Sequence, residues 1–167
     1  MRDSDAGCTH LVRVMALLAL CAACDRAAPG GGGREPAAAD AGRLLWSAFE
    51  CSSYADMAGR PEEQQRLLGV GVDIGRRFVD GVRNKTIPEA EISSTVPVAV
   101  LTAMAGPTTD FVLGRIYATA AQQAFDRVSK EDSSGIVQPV EEWVLDKKVQ
   151  VIRADARYNL GNCALLE

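Results

Sequence analysis

Four carboxylates, Glu50, Glu91, Asp110 and Asp126, are the residues of this chain best placed to do chemistry. Each stands beside an apolar stripe, and burial there raises a carboxyl pKa. Two such groups facing each other about 5 to 10 Å apart can hydrolyse a glycosidic bond, one as the acid and the other as base or nucleophile. Each also has a structural reading. Asp110 suits the first turn of a helix, where the backbone dipole is positive, and the other three suit the border between an apolar and a polar face. The other catalytic classes are narrower still, because His10 is the only histidine and lies in a segment expected to be removed. A mature chain without imidazole has no Ser/His or Cys/His machinery and no histidine-ligated metal.

Binding motifs are equally sparse. Lys130-Glu131-Asp132-Ser133-Ser134-Gly135 with Glu141 echoes a calcium-binding loop, with Asp132, Ser134 and Glu141 at ligand positions. Lys130, however, occupies the first position, where an anionic ligand is required. A solvated connection between helices accounts for the stretch better. Gly30 to Gly33 has no strand before it and no Gly-Lys-Ser/Thr after it, so it is no nucleotide loop. Gly69, Gly71 and Gly75 lack dinucleotide spacing and lie inside a helical pattern; close helix crossing explains them. The formal net charge of −4 and the absence of a Lys/Arg cluster argue against nucleic acid as a partner. No catalytic, cofactor-binding or metal-binding residue is assigned.

The amino-terminal segment carries the most specific signal. Val14 to Ala23 is an apolar run behind Arg13, too short for a bilayer span of about 20 residues and well suited to a signal peptide. Its end, Leu20-Cys21-Ala22-Ala23-Cys24, resembles a bacterial lipoprotein lipobox, departing from it at Cys21, where leucine is usual. The resemblance covers these residues alone. It implies acylation of Cys24, a membrane anchor through that lipid, and a bacterial cell envelope location facing the periplasm. An unlipidated secreted chain and an uncleaved anchor are the alternatives. Behind Cys24, the Ala-, Gly- and Pro-rich stretch cannot bury enough apolar surface to order itself and reads as a flexible tether. The expected organisation is a signal peptide over 1–23, a tether over 24–42 and a helical domain over 43–167.

If Cys8 and Cys21 leave with the signal and Cys24 carries lipid, Cys51 and Cys163 are the two cysteines that remain of five. In an oxidising envelope they are expected to pair. A reactive thiol is the alternative, and it needs a basic surrounding to lower its pKa.

The elements that must position these residues read as helices throughout. Asp40 can cap a first helix running to about Ala58, with Cys51 on its inner face. Pro61 opens a second, with Leu67, Gly71, Ile74, Phe78 and Val82 as its stripe. A short helical piece follows Pro88, and Val96 to Ala105 reads as a buried short helix. Pro107 to Val128 is the longest apolar pattern, with Phe111, Gly114, Ala118, Ala121 and Phe125 expected as its packing axis. The last helix is expected from Pro139 to about Asn159, with Leu145, Val149, Ile152 and Ala156 inward, and with Trp143 and Tyr158 as flank packing or binding-rim residues. The fold class is therefore all-α: a compact bundle of about four to five helices around a central apolar helix at about 107–128, fastened by one disulfide.

Export, a tether, helices fastened by a disulfide and no catalytic constellation converge on a non-enzymatic envelope protein that binds another macromolecule. In architecture it resembles small periplasmic helical proteins such as immunity proteins and acid-stress chaperones, or an adaptor; the resemblance assigns no residue. The alternatives are a carrier of a small apolar ligand, or a hydrolase of envelope glycans working with carboxylates alone.

Overall fold

In a computed structural model of the chain, residues 40–167 are described. The expected signal segment, the lipobox-like run with Cys24 and most of the expected tether lie outside them. The described residues form α1 (Asp40–Met57), α2 (Pro61–Arg83), α3 (Glu89–Thr95), α4 (Val98–Ala103), α5 (Thr109–Ser129) and α6 (Lys147–Leu160), with short 3-10 turns at Val140–Glu142 and Cys163–Leu165. The only extended pairing among them is one antiparallel bridge, Glu131 to Val137. The architecture is all-α and is closed by a disulfide between Cys51 and Cys163, whose Cα atoms lie 5.5 Å apart.

α1 is the most enclosed element: 11 of its 18 residues are buried, so it is covered around most of its circumference by α2, α3, α5, α6 and the final turn. Its buried serine hydroxyls are satisfied by main-chain carbonyls, one on α2 and one within α1. Ser52 donates to the Gln64 carbonyl and Ser53 to the Phe49 carbonyl, both at 3.0 Å. The helix starts at Asp40, so Ala41 and Gly42, expected at the end of the tether, belong to the core. At Gly42 a Cβ would lie 2.8 Å from Val96 and 3.0 Å from Phe78. Gly42 is there for fit, although the sequence alone groups it with the Ala-, Gly- and Pro-rich run before it.

α2 buries Leu67, Gly71, Ile74 and Phe78, as the spacing predicts, but Val79 is buried at its end and the expected Val82 only partly so. Two of its glycines receive side chains rather than a partner backbone. A Cβ at Gly71 would meet the Phe49 ring at 2.5 Å, and one at Gly75 would meet Leu113 at 2.5 Å and Leu45 at 2.8 Å. Gly69 has nothing within 4 Å. Opposite effects of the same substitution follow. Gly69→Ala is expected to stabilise by up to about 1 kcal/mol through helix propensity, whereas Gly71→Ala loses about 1 to 3 kcal/mol to overpacking against an immobile ring. Chemical denaturation of the two variants checks this; equal midpoints would contradict the packing at Gly71.

α3 follows Pro88, and α4 occupies the middle of the 96–105 stretch. Pro97 precedes α4. Val100 and Ala103 are buried, but Val98 is 73% exposed, so this helix is one-sided.

The helix expected at about 107–128 is α5, which opens where the Thr108 hydroxyl accepts from the Phe111 amide at 3.1 Å. Its inner face is Val112, Leu113, Ile116, Ala120, Ala124 and Val128. The axis expected at Phe111, Gly114, Ala118, Ala121 and Phe125 is thus turned away from the interior: Phe111 is 50% and Phe125 38% exposed, and Gly114 and Ala118 face outward. Both series have helical spacing. α1 and α2 lie against the one bearing branched aliphatics and small alanines, while Phe111 covers Gly106 instead.

The carboxy-terminal helix differs most from expectation. Pro139 starts only a 3-10 turn, and α6 begins at Lys147, where the Asp146 carboxylate accepts from the Lys148 amide at 2.8 Å. The intervening segment is held extended because the Val144 amide donates to the Ser129 carbonyl, and the Gln150 side-chain amide donates to the Val144 carbonyl, each at 2.8 Å. The inner residues of α6 are Gln150, Ala154 and Tyr158.

Two apolar clusters result. One joins Leu45, Phe49, Phe78 and Val100 with the amino-terminal half of α5. The other gathers Tyr54, Leu67, Ala124, Val128, Ala154 and Tyr158 around the disulfide.

Candidate functional site

The four carboxylates do not form a working pair. Asp110 receives the Arg76 guanidinium at 3.1 and 3.2 Å and its side chain is 72% exposed. Glu91 is exposed on α3. Asp126 is taken by Lys130 at 2.7 Å and by the Gln122 amide at 2.8 Å. Asp110 and Asp126 are separated by most of α5, about 24 Å at 1.5 Å per residue. Glu50 alone is in a low-dielectric setting: burial pushes its carboxyl above its ordinary value, and its ion pair with Arg127 and the Tyr54 hydroxyl at 3.4 Å offset that only in part. A buried carboxyl committed to a guanidinium serves structure.

The calcium-like loop is a turn built on its own backbone. One Asp132 oxygen accepts from the Ser134 and Ile136 amides at 2.8 and 3.0 Å, and the other from the Gln138 side chain at 3.0 Å. Lys130 lies 4.8 Å from the centre of the Trp143 ring, whose indole N–H donates to the Gln138 carbonyl at 2.9 Å. Trp143 is therefore packing for the loop. Tyr158 is core: it is 2% exposed, with the Arg60 guanidinium 4.5 Å from its ring centre.

A polar latch closes over the disulfide. Arg66 binds both Glu63 oxygens, at 2.8 and 3.1 Å, and donates to the carbonyls of Cys163 and Leu166; the Tyr158 hydroxyl also donates to Glu63. Hydrogen bonds from Arg66 and then Tyr158 hold the Glu63 carboxyl down at about 2, against an ordinary 4.5. A depressed folded-state value means that the contribution to stability is complete above pH 4.5 and is lost as pH falls through about 2. Carboxyl NMR is expected to place the Glu63 midpoint near that lower value, and Tyr158→Phe to move it upward by removing a donor. A wild-type midpoint at the ordinary value would contradict the latch.

What periodicity misassigned is the outer surface of α6. Leu145, Val149, Ile152 and Ala156 were expected inward, and all are exposed, Leu145 by 78% and Ile152 by 68%. Leu160 continues the series at 75% exposure. The spacing itself was legible, but a helical stripe does not say whether its complement lies in the same chain. Ile136, Val137 and Val140, in the segment leading to α6, are each more than 60% exposed as well. At the far end of the stripe, Ala156 and Leu160 border a cleft of about 270 Å³ lined also by Arg127, Arg153, Arg157 and the Glu131–Ser133 turn. Among the described residues no helix is long and apolar enough to cross a membrane.

No family model, no curated protein and no solved structure matches the chain.

Proposed function

We propose that this is a non-enzymatic helical protein of the bacterial cell envelope, held at the membrane by a lipid on Cys24, that binds another macromolecule through the outer face of α6. The observation that carries the reading is the exposed apolar series Val149, Ile152 and Ala156 along α6, with Leu145 exposed just before the helix, which nothing in the described chain covers. Large exposed apolar patches mark interaction surfaces, and a helix with anchors at i, i+3 and i+7, as Val149, Ile152 and Ala156 are on α6, fits an apolar groove on a partner. The tether expected before α1 would let the domain reach a partner while anchored. An immunity protein, a chaperone or an adaptor would each use such a face.

A photoreactive residue at Ile152, with one at exposed Asp73 of α2 as control, tests the reading in intact cells. A discrete protein adduct from position 152 alone is expected; identical adducts from both positions, or none from 152, would overturn it. Labelling with a clickable palmitate analogue tests the anchor separately: Cys24→Ser is expected to abolish incorporation, and unchanged labelling would remove Cys24 from the proposal.

A further inference from the structure

The cleft beside α6 holds three half-buried guanidiniums in a chain whose net charge is −4. Their engagement is uneven. Arg127 is paired with Glu50. Arg157 meets Glu131 only at 3.6 Å, longer than the roughly 2.7–2.9 Å of a charge-assisted hydrogen bond. Arg153 donates one nitrogen to the Val128 and Glu131 carbonyls at 3.2 and 2.9 Å and has no carboxylate partner among the described residues. Asp132 also lines the cleft, but its oxygens are engaged by the donors of its own turn. Those donors are neutral amides, so Asp132 keeps its charge, and Arg153 is the guanidinium of the cleft that forms no direct ion pair among the described residues, oriented by main-chain carbonyls, with Arg157 beside it one helical turn on.

The apolar part of the lining stands on α6 beside these arginines. Ala156 and Leu160 line the cleft, and Ile152 stands one turn back on the same face of α6. A volume of about 270 Å³ is room for about nine waters at roughly 30 Å³ each, enough for an anionic head and the first carbons of a chain.

We infer that this cleft binds the anionic head of an amphiphile, a carboxylate or phosphate monoester, against Arg153 and Arg157, with its apolar chain leaving along Leu160 and Ala156. Guanidinium forks match both headgroups. An inorganic anion would leave Leu160 bare, and a neutral chain would leave Arg153 without an ion pair. This ligand is separate from the macromolecular partner, and crosslinking at position 152 does not report on it.

The test is titration of the full chain with octyl phosphate below its micelle threshold, with inorganic phosphate and octyl glucoside alongside, followed through the amide signals of Arg153, Ala156 and Leu160. Octyl phosphate is expected to saturate, about tenfold more tightly than inorganic phosphate, and octyl glucoside to produce no saturable shift. Arg153→Gln is expected to weaken octyl phosphate by about tenfold. Because Arg153 also supports the turn, Leu160→Ser on an exposed side chain provides a second variant, expected to reduce octyl phosphate to the level of inorganic phosphate while leaving the melting curve unchanged. Equal binding of octyl and inorganic phosphate, equal binding of octyl glucoside, or no saturable shift with any probe would overturn the inference.

Co-sedimentation of the Cys24→Ser chain, which lacks the proposed lipid, with phosphatidylglycerol and phosphatidylcholine vesicles distinguishes the sources. Binding to the anionic vesicles that is lost in Arg153→Gln supports a lipid headgroup. Saturation by free decanoate without vesicle binding supports a soluble amphiphile.

Discussion

Reducing the Cys51–Cys163 disulfide, or replacing both cysteines with serine, is expected to cost about 4 to 5 kcal/mol and to lower the melting temperature by roughly 15 °C. The bond closes a loop spanning 112 residues, and loop-closure entropy grows with that length. It ties the middle of α1, the most enclosed helix, to the last turn of the described chain. Both cysteines are buried, Cys163 completely, and a Cβ at Gly161 would lie 3.2 Å from the Cys163 sulfur, so the carboxy terminus is packed around the bridge. Without it, the Cys163–Leu165 turn retains the Arg66 contacts to the Cys163 and Leu166 carbonyls. Two half-exposed hydrogen bonds, each worth about 1 kcal/mol or slightly more, do not replace the lost cross-link. Thermal unfolding with and without reductant measures the effect. Coincident curves would show that the cross-link contributes nothing beyond the packing.

Ala120→Asp is expected to unfold the domain, whereas Ala118→Asp, two residues earlier on α5, is expected to shift stability by about 0.5 kcal/mol or less. Ala120 is completely buried in the main apolar cluster. A carboxylate there finds no cation and no space, and an unpaired buried charge costs several kcal/mol. Ala118 faces solvent, and aspartate there meets only water. Sequence periodicity puts Ala118 on the packing axis and therefore predicts the reverse order, so circular dichroism of the two variants decides between two phases of the same helix. A stable Ala120→Asp beside an unfolded Ala118→Asp would mean that α5 is rotated from the orientation described.

Elements proved more legible than faces. The start of α1 at Asp40, the Pro61 opening and the Leu67–Gly71–Ile74–Phe78 stripe follow from local rules of capping, proline placement and spacing, and all are found in α2 and its neighbour. On α5 and α6 two overlapping apolar series compete, and spacing alone cannot rank them. On α5 the choice fell to residues that fit against α1 and α2. On α6 the interior took Gln150, Ala154 and Tyr158: Gln150 bonds to the Ser129 hydroxyl and the Val144 carbonyl, and Tyr158 reaches Glu63. Such long-range polar partners leave no trace in a hydrophobicity pattern. The arginine cleft was illegible for the same reason, since Arg127 lies on α5 while Arg153 and Arg157 lie on α6.

By itself the sequence determined that the domain is helical and that Cys51 and Cys163 pair, because backbone propensity, proline and glycine punctuation and a small cysteine inventory are local or countable properties. Which helix is most enclosed, which side of α5 is buried, and the outward turn of Leu145, Val149 and Ile152 were decided only by tertiary structure. Those outcomes depend on which of several equally periodic surfaces finds a complementary one elsewhere in the chain, and complementarity of shape and hydrogen bonding is a property of pairs of elements.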